Sequence, residues 1–244
     1  MEWIYGRNAV QMALAPGACR RAHRLAATAS ALKALGATLP GALPVDTLDT
    51  HALDDLTGSR DHQGVALQVD PFPYAAPERV LRADVVVVLD EVSDPRNLGA
   101  VARTALAAGA GGLVVPKHRS ASVTPTAVKT SAGALEHLPV AQVTNTVAFL
   151  KEAKAAGCWV YGAAGEAPGS YLELDLTGRV VLVLGAEGRG LREAVARRCA
   201  GVVQIPQRGQ VSSLNASAAG AILLYEAMRQ RGPQGRPQVA PAHA

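Results

Sequence analysis

Residues 85–89 read Val-Val-Val-Val-Leu, five apolar side chains with no polar residue among them. A strand with one wet face alternates apolar and polar residues, whereas a strand buried on both faces does not. This run, bounded by Asp84 and Asp90, therefore predicts a strand in the interior of a sheet covered on both sides. Arg179 to Leu184 (RVVLVL) repeats the signal, and further strands are predicted at Gly111–Val115, Pro139–Val143, Trp159–Gly162 and Val202–Ile205. Helical patterns fall between them, at about Leu98 to Ala108, Thr124 to Ser131, Thr146 to Ala156, Leu191 to Arg198 and Ser213 to Arg229. Strands that alternate with helices predict an α/β fold with a mostly parallel sheet. Aromatic residues make up only 4% of the chain, which leaves its core to Val, Leu and Ala.

The first 69 residues read as a separate small α/β unit. Ile4-Tyr5-Gly6 leads into a helix from Asn8 to Leu14, closed by Pro16-Gly17. Helices are predicted at Ala29–Leu35 and at Thr50–Leu56, the latter with Thr50 as its cap, and a strand at Gly64–Val69. Residues 70–82 hold three prolines and little periodicity, so they predict a linker. The second domain is then 83–231, and the Pro/Gly/Ala-rich residues 232–244 predict a disordered tail. No apolar run reaches the ~18 residues of a membrane span, and the N-terminus has no apolar signal core, so a cytoplasmic location is expected. The three cysteines, Cys19, Cys158 and Cys199, have no metal-ligand spacing; they predict reduced, mostly buried thiols and no metal site.

The net charge of +4 permits a nucleic-acid partner without demanding one. Lys+Arg and Asp+Glu cancel at 8 each over residues 1–82, and the whole excess, 16 against 12, lies beyond them.

Three loops carry candidate chemistry, each placed after a strand and before a helix, where open α/β sheets bind ligands. The first runs from Asp90 to the helix that holds Asn97 and Arg103. Arg103 interrupts an otherwise apolar helix, so its charge must be exposed, paired or functional. Asn97 reads equally as a helix cap. The second is Leu184-Gly-Ala-Glu-Gly-Arg-Gly190, whose G-x-x-G-x-G order and late position differ from the dinucleotide fingerprint. A plain turn is the competing reading. The third is Ile205 to Ser217, where Ser212, Ser213 and Asn215 precede a long helix; capping accounts for one of them.

Taken together, N-L-G-A-V-A-R-T-A, L-G-A-E-G-R-G-L and I-P-x-x-G-x-V-x-S-L-N-A-S resemble the three motifs of the SpoU branch of the SPOUT RNA methyltransferases, across residues 84–231. W-I-Y-G-R-N-A-V, H-Q-G-V-A-L and K-T-S-A-G-A-L-E-H-L-P-V are similar to the subgroup that methylates guanosine 2′-O positions of 23S rRNA and carries a ribosomal-protein-like RNA-binding domain. The resemblance implies a parallel-sheet α/β domain with a deep trefoil knot, a homodimer, and S-adenosylmethionine as methyl donor. It implies Asn97, Arg103, Glu187, Ser213 and Asn215 as polar site residues, and Leu184, Gly185, Ile205 and Leu214 against the cofactor. Arg7, Arg20, Arg21 and Arg24, with Arg96, Lys117 and Arg119, are candidate RNA contacts; each reads also as a solvated charge. A tRNA substrate, a non-catalytic RNA-binding assembly factor and a nucleotide-dependent oxidoreductase are the alternatives. The wrong glycine order argues against the last of these.

Overall fold

The computed structural model describes residues 1–36, 39–186, 188–209 and 214–232. In chain order its elements begin with β1 (Glu2–Tyr5), α1 (Arg7–Leu14), β2 (Ala22–Ala27), α2 (Ala29–Leu35), β3 (Val45–Thr47), α3 (Thr50–Thr57), β4 (Val65–Val69) and α4 (Pro77–Val80). There follow β5 (Val85–Asp90), α5 (Pro95–Ala107), β6 (Gly112–Pro116), α6 (Pro125–Thr130), β7 (Val140–Val143) and α7 (Thr146–Ala155). Last come β8 (Trp159–Ala163), β9 (Gly169–Ser170), β10 (Val180–Gly185), α8 (Glu193–Ala196), β11 (Gly201–Gln204) and α9 (Ala216–Arg231). The chain forms two compact units: residues 1–74, 94–103 and 121–138 in one, residues 75–93, 104–120 and the described residues from 139 onward in the other.

The first unit is built on a four-stranded sheet of order β1-β4-β2-β3, in which β4 runs antiparallel to both neighbours and β2 parallel to β3. Tyr5, Ala26, Leu53 and Ala66 form one of its buried clusters. Strands β2 and β3 were not expected from the sequence. The first is rich in Ala and carries His23 and Arg24, a composition of low strand propensity, and its pairing with β4 and β3 overrides that. Helix α3 is capped by Asp49, whose carboxylate accepts the Ala52 N–H at 2.8 Å, rather than by Thr50. Segments 94–103 and 121–138 group with this unit. A Cβ on Gly99 of α5 would lie 2.5 Å from the Ala127 carbonyl oxygen, so only glycine allows α5 and α6 to approach this closely.

The second unit is a seven-stranded, all-parallel sheet of order β7-β6-β5-β10-β8-β11-β9. Strands β5 and β10 lie at its centre, paired from Val85↔Val180 to Asp90↔Gly185. The five apolar residues of β5 are buried, as the unbroken run requires, and Asp90 at its end is buried with them. Val86, Val88, Val181 and Val183 pack with Phe149 and Leu150 of α7 and with Val195 of α8. Strand order reverses about β5, with β6 and β7 on one side and β10, β8 and β11 on the other.

The segment expected as a linker is packed structure. Ala75 N–H donates to the Val140 carbonyl at 2.8 Å, and Val80 and Leu81 are buried in the core. Pro77 does not break this segment, because it stands in the first turn of α4, where its missing N–H would have no helical partner. Helix α5 starts three residues earlier than expected: Asp94, whose side chain accepts the Arg96 N–H at 2.8 Å, takes the capping role that Asn97 competed for. Helix α8 is shorter than expected, because Arg192 remains extended with ψ 140. Helix α9 begins after Asn215, which caps it by accepting the Ser217 N–H at 2.8 Å. Ser212, Ser213, Glu187 and, except for Gly232, the expected tail lie outside the described residues.

Candidate functional site

A cavity of about 600 Å³ opens at the carboxyl ends of β8, β10 and β11. That is the end of a parallel sheet where ligands bind, and the volume falls within the range of small-molecule sites, about 300–1,000 Å³. Leu184, Gly185, Ile205 and Leu214 all line it. So do Leu191, Val202, Ala163, Ala164 and Gly165, while Glu166, Arg189 and Gln207 add polar residues. The wall thus mixes apolar side chains with polar groups, an arrangement suited to the flat faces and edge hydrogen bonds of a nucleoside.

The G-x-x-G-x-G order has a local cause. The chain leaves β10 at Gly185 and folds back on itself, with the Gly190 N–H donating to the Ala186 carbonyl at 2.9 Å. A Cβ on Gly185 would lie 2.2 Å from the Gly190 carbonyl carbon, so no side chain fits there. Gly190 itself has φ +66, in the left-handed region.

The end of β5 is tied to the far end of this loop. Asp90 is fully buried and accepts hydrogen bonds from Arg192: from its backbone N–H at 3.2 Å, from Nε at 2.9 and 3.1 Å, and from Nη2. Arg192 Nη2 also donates to Thr146 Oγ1 at 3.1 Å, and its Nη1 lies 3.6 Å from Glu91. Hydrogen bonding to Asp90 is the chief reason the guanidinium titrates above its usual value.

Among the polar candidates, Asn215 stands between the lining residues Leu214 and Ala216. Asn97 is half-buried in the first turn of α5, and Arg103 is exposed on the same helix, in the first unit. Among the described residues no carboxylate pairs with Arg103. Glu187 and Ser213 lie outside the described residues.

The candidate RNA contacts separate. Arg21, Arg96, Lys117 and Arg119 are exposed, and Arg119 lies 3.9 Å from Glu91. Arg7 donates from Nε to the Gln63 carbonyl at 3.3 Å, and Arg24 is paired with Asp46 at 2.8 Å. Arg20 is a correction: its side chain has no exposure and is held by Glu2 and Glu136 beneath the ring of Phe72. Burial works against its charge, but the hydrogen bonds and charges of the two carboxylates outweigh burial and raise its pKa. The neighbouring His23 is likewise engaged, 2.7 Å from Asp70, so Arg20, His23 and Arg24 are all held by carboxylates of the chain.

The three cysteines are free. Cys158 is buried, Cys199 is half-buried with its thiol pushed up to about 11 chiefly by burial, and Cys19 is exposed rather than buried. No group of three or more His, Cys, Asp and Glu among the described residues could hold a metal ion, and no described helix is long and apolar enough to cross a membrane.

Comparison with known proteins agrees with this architecture. Residues 84–225 match the SpoU rRNA Methylase family, and residues 3–75 match the RNA 2'-O ribose methyltransferase substrate binding family. A 23S rRNA (guanosine-2'-O-)-methyltransferase RlmB of Xanthomonas campestris is 44% identical over 200 residues, 78% of this chain and 79% of that protein. The SpoU methyltransferase AviRb from Streptomyces viridochromogenes, solved in complex with the cofactor AdoMet, is 28% identical with a TM-score of 0.78, over 94% of this chain and 89% of that one. An AdoMet-bound rRNA methyltransferase from Sinorhizobium meliloti is 26% identical with a TM-score of 0.74, over 93% of this chain and 87% of that one. With more than half of its length matched by the family and a relative this similar across most of both chains, the chain belongs to the SpoU rRNA methylase family.

Proposed function

We propose that this protein transfers a methyl group from S-adenosylmethionine to the ribose 2′-hydroxyl of a guanosine in 23S rRNA. The observation that carries the proposal is the cavity at the carboxyl ends of β8, β10 and β11, the end of the sheet where ligands bind. Its residues fit the cofactor. Leu184, Ile205 and Leu214 offer apolar walls for adenine, and the strand-end and loop backbone offers N–H and C=O groups for the purine edge and the sugar. When bound, the cofactor supplies a methyl group already activated by its positively charged sulfur.

The work left to the chain is to align the ribose and to manage the hydroxyl proton. Arg103 is the residue for the second task. A guanidinium stays protonated below pH ~12, so it serves the developing alkoxide as a fixed positive charge and double donor rather than as a base. The proton leaves to water or to an RNA phosphate. Asn97, Glu187, Ser213 and Asn215 complete the polar site in this reading, and Arg7, Arg21, Arg96, Lys117 and Arg119 meet the RNA backbone. Residues 1–69 serve as the substrate-binding domain and 83–231 as the catalytic domain, with the knotted thread at its C-terminal end, in the cytoplasm.

The homodimer belongs to the same proposal. Tyr225 and Met228, three residues apart on α9 and so on one helix face, are 48% and 41% exposed, which suits a contact with a second copy. Sedimentation of the wild-type chain should give twice the monomer mass, and Tyr225→Glu with Met228→Glu should give the monomer. A monomeric wild type would refute the dimer.

The function is tested by incubating the chain with tritiated S-adenosylmethionine and either unmodified 23S rRNA or bulk tRNA, then digesting to nucleosides. Label in 2′-O-methylguanosine from 23S rRNA is expected. Label from tRNA alone would keep the chemistry and replace the substrate; no label from either would overturn the proposal.

A further inference from the structure

We infer that Asp90 is a positioning residue for the cofactor pocket: through Arg192 it fixes where the loop that follows β10 closes. The inference rests on the reading that this cavity takes S-adenosylmethionine. Asp90 is the last residue of β5 and does not line the cavity. Gly185, its register partner on β10, does. The loop therefore leaves the sheet at a residue paired with the Asp90 backbone. It returns at Arg192, whose N–H and guanidinium are both held by the Asp90 carboxylate. One buried residue thus secures both ends of the loop. Ala186, Gly188, Arg189, Gly190 and Leu191, which lie between those ends, line the cavity.

The cost of this arrangement is what points to a positional role. A carboxylate without exposure costs several kcal/mol of desolvation, recovered only when its lone pairs are well met. The rest of β5 is Val and Leu, so the strand itself has no use for a charge at its end. A valine there would pack in the sheet but would leave the Arg192 N–H and guanidinium without their acceptor. Among the contacts of the described residues, the Gly190–Ala186 hydrogen bond, the packing of Leu191 and the outer contacts of the guanidinium with Thr146 and Glu91 would remain, but none of these fixes the Arg192 backbone N–H. The loss of a hydrogen bond to a charged group then falls on the cofactor-binding form of the loop, about 10- to 100-fold in an equilibrium constant. Thr146 and Glu91 hold the outer side of the same guanidinium and cannot replace Asp90, because neither meets the Arg192 backbone N–H.

The test compares full-length wild type, Asp90→Asn and Arg192→Lys. For each, S-adenosylmethionine binding is measured by calorimetry, both Michaelis constants in the methyl-transfer assay, and the melting temperature. Asparagine keeps the shape and one acceptor but loses the charge. Affinity for S-adenosylmethionine should fall by about 10- to 100-fold. KM for the cofactor should rise in step, while KM for RNA and kcat at saturating cofactor stay near wild type. Arg192→Lys, which keeps the charge and the backbone N–H, should fall between the two. A lower melting temperature with unchanged cofactor affinity, measured well below the melt, would mean a purely structural role and overturn the inference. If Asp90→Asn does not fold, Arg192→Lys carries the test alone, and wild-type affinity in that variant overturns it. Absence of binding by the wild type would overturn the reading of the cavity and this role together, whereas wild-type binding with an unimpaired Asp90→Asn removes only the role.

Discussion

Arg103→Ala should lose methyl transfer by about 10²–10³-fold in kcat, the cost of removing one donor aimed at a developing oxyanion. Its melting temperature and its affinity for S-adenosylmethionine should stay at wild-type values. The separation of activity from stability follows from where the side chain stands. Arg103 is exposed on α5, and among the described residues no carboxylate depends on it, so its removal strands no buried charge. Exposed substitutions of this kind stay within about 0.5 kcal/mol. The apolar residues that seat α5, Leu98, Val101, Ala102 and Ala105, are untouched. Arg103→Lys refines the result. It keeps the charge but not the planar pair of donors, so partial activity indicates electrostatic stabilisation and alanine-like activity indicates bidentate alignment. Wild-type turnover by Arg103→Ala would remove Arg103 from the reaction.

What could be read from the sequence follows from how local each signal is. The runs Val85–Leu89 and Val180–Leu184 were legible because burial on both faces leaves them without a polar residue. Leu184, Gly185, Ile205 and Leu214 were named through the resemblance of their motifs to a known family, and all four line the one cavity. The neighbouring segment 163–166 lines the same cavity and was missed. It carries no motif, and only the sheet order, which sets β8 beside β10, brings it there. Sheet order is a property of long-range pairing and leaves no mark on local periodicity. The same limit hid β2 and β3, whose residues become strands only through their partners. The exchange of Asn97 for Asp94 as the cap of α5 is smaller: two capping residues stand three positions apart, and hydrogen-bond geometry decides between them. Asp90 was read as the edge of a loop, because its partner Arg192 stands 102 positions later.

Arg20 shows the same limit with the largest consequence for stability. In sequence it belongs to a basic cluster, and a cluster of arginines reads as a surface for RNA. Its main partner, Glu136, stands 116 positions away. Neither side chain is exposed; Nε of Arg20 donates to Glu136 at 3.0 Å, its Nη2 meets the other carboxylate oxygen, and Nη1 meets Glu2. Removing one partner of a buried pair leaves the other charge uncompensated, at about 3–5 kcal/mol. Glu136→Ala should therefore lower the melting temperature by about 6–20 °C, taking about 2–4 °C per kcal/mol for a chain of this size. Glu2 cannot make good the loss, because it is 29% exposed and meets only one nitrogen of the guanidinium. The double replacement Arg20→Met with Glu136→Met should recover most of the stability, since apolar side chains of similar volume substitute for a buried ion pair at little or no cost. A thermal-melt cycle of Arg20→Met, Glu136→Met and the double measures that coupling. The surface reading predicts the opposite pattern: Arg20→Ala would melt like wild type, and RNA binding would weaken with a salt dependence shallower by about one counterion. A destabilised Arg20→Ala that binds RNA with the wild-type salt slope assigns the residue to the core of the first unit rather than to the RNA surface.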